Sequence, residues 1–279
     1  MPTLKEIQKD LEFVLAIKNI VTTFQEVANL KMRQIKEKVL KSREFSKELL
    51  STYQRIKSVY YYSLKKGLVK KSFFRKTEKE KVVVFLSVNK PFYGTLILDI
   101  WKEVKKYLEK EGGDLIVVGR MGKYLAEREG LGLFFFYFEF DDINPQKETI
   151  SEIVEFIKKY ERIIVFHGRY EKGFIQKPVM TEISGGLPKE KRGKEIEGYL
   201  FEPSPEAVLE FFETEIIGVL FNIAILEHQL ARLAARVMAM HEASEKAKNF
   251  EKKLKAEESK LKREIVNKRQ IELLGSLKT

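Results

Sequence analysis

His167, His228 and His241 are the only imidazoles in 279 residues, and there is no cysteine. Imidazole is the usual neutral-pH acid–base group and a common zinc ligand. His228 and His241 stand thirteen positions apart on a stretch that reads as one helix, too far to share a metal. We expect all three as surface or interface residues. The lack of cysteine excludes disulfides, thiol catalysis and cysteine–zinc sites, and fits a reducing compartment. Neither Gly-x-x-x-x-Gly-Lys-Ser/Thr nor Gly-x-Gly-x-x-Gly occurs. VGRMGK (118–123) has two glycines at another spacing and reads as a tight strand-to-helix turn. No catalytic constellation, metal site or cofactor is expected.

What remains to do chemistry is positive charge. Arg236 lies between Ala235 and Val237. Buried, such an arginine needs a carboxylate or carbonyl; exposed, it snorkels past its neighbours. Met238 and Met240 beside it read as ordinary packing. Between residues 246 and 270, ten basic side chains face only four acidic ones. A face that is merely soluble mixes signs more evenly, so the excess points to an anionic partner. The whole chain shares the bias, with a net charge of +11 and a pI of about 9.4.

These cations must be held by helices. Leu4, Ile7, Leu11, Val14, Val21, Phe24, Ala28, Met32, Ile35 and Val39 recur at steps of three and four, with Lys18 interrupting, as in a coiled-coil seam. Neither Pro nor Gly occurs between Pro2 and Gly67, which predicts a helix of roughly 60 residues, about 90 Å long. Ser204 suits an N-cap, Pro205 the first helical position and Glu206 the positive helix end. A second helix of about 70 residues follows, its seam thinning to Leu254, Leu261, Ile265 and Ile271.

Between the helices the texture changes. KVVVFLSV (81–88) reads as a strand buried on both faces. Strands are also expected at 114–118, 131–140 and 162–170, with helices at 95–110 and 149–160. Residues 173–183 read as an edge strand, because Pro178 cannot donate to a ladder. SGGLPKEKRGKEIEG (184–198) reads as a loop, and YLFEPSP (199–205) as the end of a short strand. The expected fold is a small Rossmann-like α/β domain (80–203), with a mainly parallel sheet, inserted between two long helices (1–66 and 204–279) that pair as an antiparallel coiled coil. No run of apolar residues is long enough for a membrane span, and the N-terminus lacks a secretory pattern.

This layout resembles the gamma subunit of F-type ATP synthases. The resemblance rests on KEI (5–7), EVANLKMR (26–33), VGRMG (118–122), YLFEPSP (199–205) and EHQLARLAARVMAM (227–240), with Arg236, Met238 and Met240 in place. The chain departs from the family at SVNKPFYG (87–94), where only Ser87 and Gly94 match and Lys90 replaces an arginine. It departs again at ASEKA (243–247) and VNKR (266–269). The resemblance implies a non-catalytic rotor. Its partners would be the alpha and beta subunits of the catalytic ring, the epsilon subunit and the membrane c-ring, at the cytoplasmic face of the cell membrane. It implies no direct nucleotide binding and no nucleic acid. The implied ring contacts are Phe24, Lys31, Arg33, Arg236, Met240, Lys260, Asn267, Lys268 and Arg269. Two alternatives stay open. One is a diverged paralogue. The other is a basic coiled coil binding nucleic acid, which YYYS (60–63) would permit but no nucleic-acid-binding motif supports.

Overall fold

The computed structural model describes residues 2–65, 79–129, 135–172, 174–183, 202 and 204–276. The expected loop at 184–198, most of YLFEPSP and the first residues of the 131–140 segment lie outside them. The elements run α1 (Leu4–Lys65), β1 (Lys79–Leu86), α2 (Leu96–Glu111), β2 (Asp114–Val118), α3 (Arg120–Arg128), β3 (Phe135–Phe138), α4 (Lys147–Ile157), β4 (Tyr160–Tyr170), β5 (Gln176–Glu182) and α5 (Pro205–Ser276). The chain divides into two compact units. Unit 1 joins Met1–Leu30 to Arg236–Thr279, and unit 2 is Lys31–Ala235. No described helix is long and apolar enough to cross a membrane.

In unit 1 the two ends of the chain run antiparallel. Gln8 Nε2 donates to Glu258 Oε1 at 3.3 Å, and Lys18 Nζ to Glu251 Oε2 at 2.8 Å. A capping box opens α1: Thr3 N–H donates to Glu6, and Glu6 N–H to Thr3 Oγ1. Ile7, Ala28, Met240 and Ala247 are buried between the helices. The seam departs from its expected course at three positions. Phe24 is 47% exposed, and the half-buried neighbour is Gln25. Ile265 and Ile271 also face outward. Lys18 does not interrupt the seam but joins it, its charge met by Glu251.

Unit 2 holds the sheet, in the order β3-β2-β1-β4-β5, with only β5 antiparallel. Val82, Val83, Val84 and Phe85 have no exposed surface, as a central strand covered on both faces requires. Each such burial contributes about 1.5–3 kcal/mol relative to exposure. Pro178 sits on the edge strand opposite Gly168, where a missing donor is tolerated. α4 ends at Ile157, short of the expected Tyr160, which instead opens β4. Ser204 caps α5: its Oγ accepts from Ala207 N–H at 3.2 Å and its carbonyl from Val208 N–H.

α5 touches both faces of the sheet. Ile217, Phe221, Ala224 and Ile225 share a core with Val82, Val84, Leu86 and α4. Further along, Ala231 and Ala235 share the opposite core with Val83, Phe85 and α2. The helix therefore crosses the carboxyl edge of the strands between residues 225 and 231. The start of α5 also packs on α1: Tyr53, Tyr60, Leu209 and Ile216 form a third cluster, and Tyr53 OH donates to Glu213 Oε1 at 2.6 Å.

Candidate functional site

Where α5 crosses the sheet edge, its apolar surface gives way to Glu227, His228, Gln229 and Arg232, all buried. Small residues allow the close approach. A Cβ on Gly168 would lie 3.0 Å from the Ala231 Cβ and 3.1 Å from Leu96 Cδ2. β4 outruns β1, their pairing ending at Phe85 and Phe166. Beyond it, Gly168 N–H donates to His228 Nδ1 at 3.0 Å, while the Gly168 carbonyl accepts from His167 Nδ1 at 3.1 Å. Two imidazoles thus satisfy both backbone polar groups of one residue. His167 Nε2 then accepts from the Thr181 hydroxyl, and His228 Nε2 donates to Ser87 O. Both rings are neutral and in opposite tautomers. Burial drives both below the ordinary imidazole value, His167 to about 4.

Neither histidine is at the surface, contrary to expectation: His167 is 1% and His228 3% exposed, and only His241 is exposed. They are structural because a sheet edge crossed by a helix leaves backbone groups that need buried partners.

Arg232 and Asp142 form the most buried ion pair, their side chains 3% and 4% exposed. Arg232 Nη1 donates to Asp142 Oδ1 at 2.9 Å and Nη2 to the Asp142 carbonyl at 3.0 Å. Asp142 also accepts from the Asn89 and Lys90 N–H groups, at 2.9 and 3.0 Å. Asn89 then donates to Phe140 O and accepts from Arg120 N–H at 2.9 Å, at the start of α3. The divergent segment 87–94 is therefore tied at its root to α3, Asp142 and α5. At its tip Phe92 is 61% exposed, in the left-handed region at φ 79°. Gly119 turns β2 into α3 at φ 100°, and a Cβ there would meet the Val88 backbone at 2.9 Å. VGRMG forms the tight strand-to-helix turn that its glycine spacing implied.

Glu227 bridges two arginines across the same edge. Its carboxylate accepts from Arg43 at 2.8 Å and Arg169 at 2.9 Å. Burial pushes its pKa up, but Arg169 and Arg43 more than offset this, so it lies below the ordinary value.

The residues expected to meet a ring are not gathered into one cluster. In unit 1, Phe24, Lys260, Asn267, Lys268 and Arg269 are exposed, Arg236 is half-buried, and Met240 is 7% exposed while Met238 faces out. In unit 2, Lys31 is half-buried and Arg33 exposed. All ten cations between residues 246 and 270 are exposed. Lys248, Lys255 and Lys262 pair with glutamates one turn earlier. The other seven (Lys246, Lys252, Lys253, Lys260, Arg263, Lys268 and Arg269) have no carboxylate partner among the described residues. Phe13, Ile20, Phe24 and Val27 add an exposed apolar stripe along α1 in the same unit. Steps of seven, four and three place them on one helix face.

Sequence reasoning missed Asp142 and Arg232. Arg232 lies between Ala231 and Leu233, as apolar a setting as that of Arg236, so the signal that singled out Arg236 was present at Arg232 too.

The model of a family described as ATP synthase matches residues 3–277 of the chain. The ATP synthase gamma chain of Pelotomaculum thermopropionicum is 23% identical over 285 residues, covering 99% of this chain and 98% of its own length. That of Symbiobacterium thermophilum is 24% identical, covering 97% and 96%. Among solved structures, the central stalk and c-ring assembly of the Tetrahymena thermophila mitochondrial ATP synthase contains a chain of like fold. Its TM-score is 0.58 at 18% identity, over 81% of this chain and 99% of that one. A rotor chain of the Euglena gracilis mitochondrial enzyme aligns at a TM-score of 0.52 and 15% identity, over 84% and 98%.

Proposed function

The chain belongs to the ATP synthase gamma-chain family, and on that footing we propose how it works as the central stalk of an F-type ATP synthase. The observation that carries the reading is a family match running from residue 3 to 277, across helix, sheet and helix alike. The chain is a non-catalytic subunit; ATP is made or hydrolysed in the beta subunits. Ion flow turns the c-ring, the c-ring turns the α/β domain, and the asymmetric helix pair drives three beta subunits through different conformations in turn. The chain sits with the epsilon subunit at the cytoplasmic face of the membrane, held there peripherally.

In this reading unit 1 is the axle. Seven cations without a carboxylate partner among the described residues, and the Phe13–Val27 stripe, give it an excess of charge and exposed apolar surface, which supports a surrounding partner. Screened, long-range attraction suits a turning shaft, since it does not fix one register as a bidentate pair would. Phe24, Lys31, Arg33, Arg236, Lys260, Asn267, Lys268 and Arg269 are the proposed contacts with the catalytic ring, together with Met240 beneath the Met238 surface.

Co-expression with the alpha and beta subunits of the same organism, followed by size exclusion and an ATPase assay, tests the reading. The expected result is one copy with three of each and ATP hydrolysis that depends on it. A chain that elutes alone and leaves alpha and beta unaffected would overturn it. Within the assembled complex, Arg236→Ala should weaken coupled synthesis more than it weakens folding. Unchanged coupled synthesis would remove Arg236 from the contact set.

A further inference from the structure

In open α/β sheets ligands bind outside the carboxyl ends of the strands, where the strand order reverses. Here that point lies between β1 and β4, since the chain runs outward from β1 to β2 and β3 and returns to the other side of β1. The backbone groups of the crevice, the first turn of α3 and the Arg232 fork are met by the chain itself, while Ser87 Oγ, Gln229 Nε2 and Arg232 Nε are buried without a hydrogen-bond partner among the described residues. His228 spans the crevice from Ser87 O to Gly168 N–H. The first turn of α3 would cradle a phosphate. Its Arg120 N–H is held by Asn89 Oδ1, and its Met121 N–H donates to Val88 O at 2.8 Å. Arg232 closes the remaining side on Asp142.

We propose that this crevice is a socket for α5, with Arg232 and His228 the positioning residues that lock the helix to the sheet so that helix and α/β domain turn as one body. The proposal rests on the gamma-subunit reading. A buried ion pair adds little net stability over apolar side chains of the same shape; what it adds is a fixed register. Arg232 supplies that register. Its planar fork meets a carboxylate oxygen and a carbonyl of the same residue, which fixes the helix in rotation as well as in depth. Asp142 carries the constraint to the root of segment 87–94 through two backbone N–H groups. An apolar replacement would keep the packing and lose the lock.

The experiment uses the complete ATP synthase, reconstituted in liposomes with the wild-type chain or with Arg232→Lys, Arg232→Met or the pair Arg232→Met with Asp142→Leu. It reads ATP hydrolysis and ATP-driven ion uptake separately. The double variant should assemble and hydrolyse ATP within about twofold of wild type, while its uptake per ATP falls about tenfold, within the range by which changes between two coupled sites alter their coupling. Arg232→Lys, which keeps the charge but not the fork, should fall between the two. A wild-type ratio in the double variant overturns the lock. So does a fall of uptake and hydrolysis in step, which marks a purely structural role. Retention of ATP by the isolated wild-type chain in equilibrium dialysis overturns the filled socket, whatever the complex does. Failure of the wild-type chain to assemble instead removes the gamma-subunit reading and this proposal with it.

Discussion

Unit 2 and unit 1 treat charge in opposite ways. At the sheet edge of unit 2, Asp142 and Arg232 are buried and joined through both guanidinium Nη atoms, and Glu227 is buried beneath Arg43 and Arg169. In unit 1 the cations of α5 between residues 246 and 270 lie on the surface, most without a carboxylate partner among the described residues, and the helix pair is stitched by contacts such as Lys18–Glu251. Buried pairs fix geometry; exposed ones set a field and leave geometry free. A single subunit thus contains one region of buried, directed charge and another of charge left at the surface.

The largest effect should come from breaking the buried pair on one side only. Asp142→Leu leaves the Arg232 guanidinium buried without its carboxylate, and should cost about 3–5 kcal/mol in urea unfolding of the full chain. Adding Arg232→Met should restore part of the loss, the Asn89 and Lys90 N–H groups still lacking their acceptor. If the single variant costs no more than a surface substitution, the contrast between the units fails.

Next is the acid response. His167 is held neutral at a pKa of about 4, against 6.5 ordinarily. The unfolded chain therefore binds more protons across that window, so stability is full above pH 6.5 and falls as the pH drops toward 4. For His167 alone the loss is roughly 3 kcal/mol. His228 acts in the same direction. Desolvation is the main cause for both; Glu227 partly opposes it at His167, and Arg169 and Arg43 reinforce it. His167→Gln should flatten this limb without abolishing it. Urea midpoints at pH 4 and pH 7, in wild type and variant, measure the difference. Glu227 acts lower: its depressed pKa contributes stability that is lost as the pH falls below about 4.5.

Gly168→Ala should cost about 1–3 kcal/mol, since the added methyl must displace Ala231 or Leu96. Pairing it with Ala231→Gly should recover part of the loss, and additivity would mean that the two do not meet. The smallest effect belongs to unit 1. Lys18→Met should shift Tm by less than about 2 °C, because a half-buried pair that solvent still reaches contributes little. The shift should shrink further at about 1 M salt.

The elements were legible because their signals are local. Val82–Phe85 announce a covered strand, Pro178 an edge, and Ser204-Pro205 a helix start, each within a few residues. The register of the helix pair was less so. A strict heptad put Phe24 in the seam, while the structure turns Gln25 inward. The lock was invisible for a different reason. Asp142 and Arg232 are 90 residues apart, and nothing in DDINPQ distinguishes the buried Asp142 from the exposed Asp141 beside it. The histidines misled because rarity and polarity argue for the surface. Their burial follows only from the crossing of two elements, each of which looks self-sufficient when read alone.

The glycine gripped by the two imidazoles has a further consequence. Its amide proton is shared with a side chain of α5 rather than with a neighbouring strand. Exchange of that one hydrogen with deuterium therefore requires the helix to lift from the sheet, whatever happens elsewhere in the ladder. The Gly168 amide is a built-in clock for the seating of α5, readable residue by residue in a stalk at rest and in one under load.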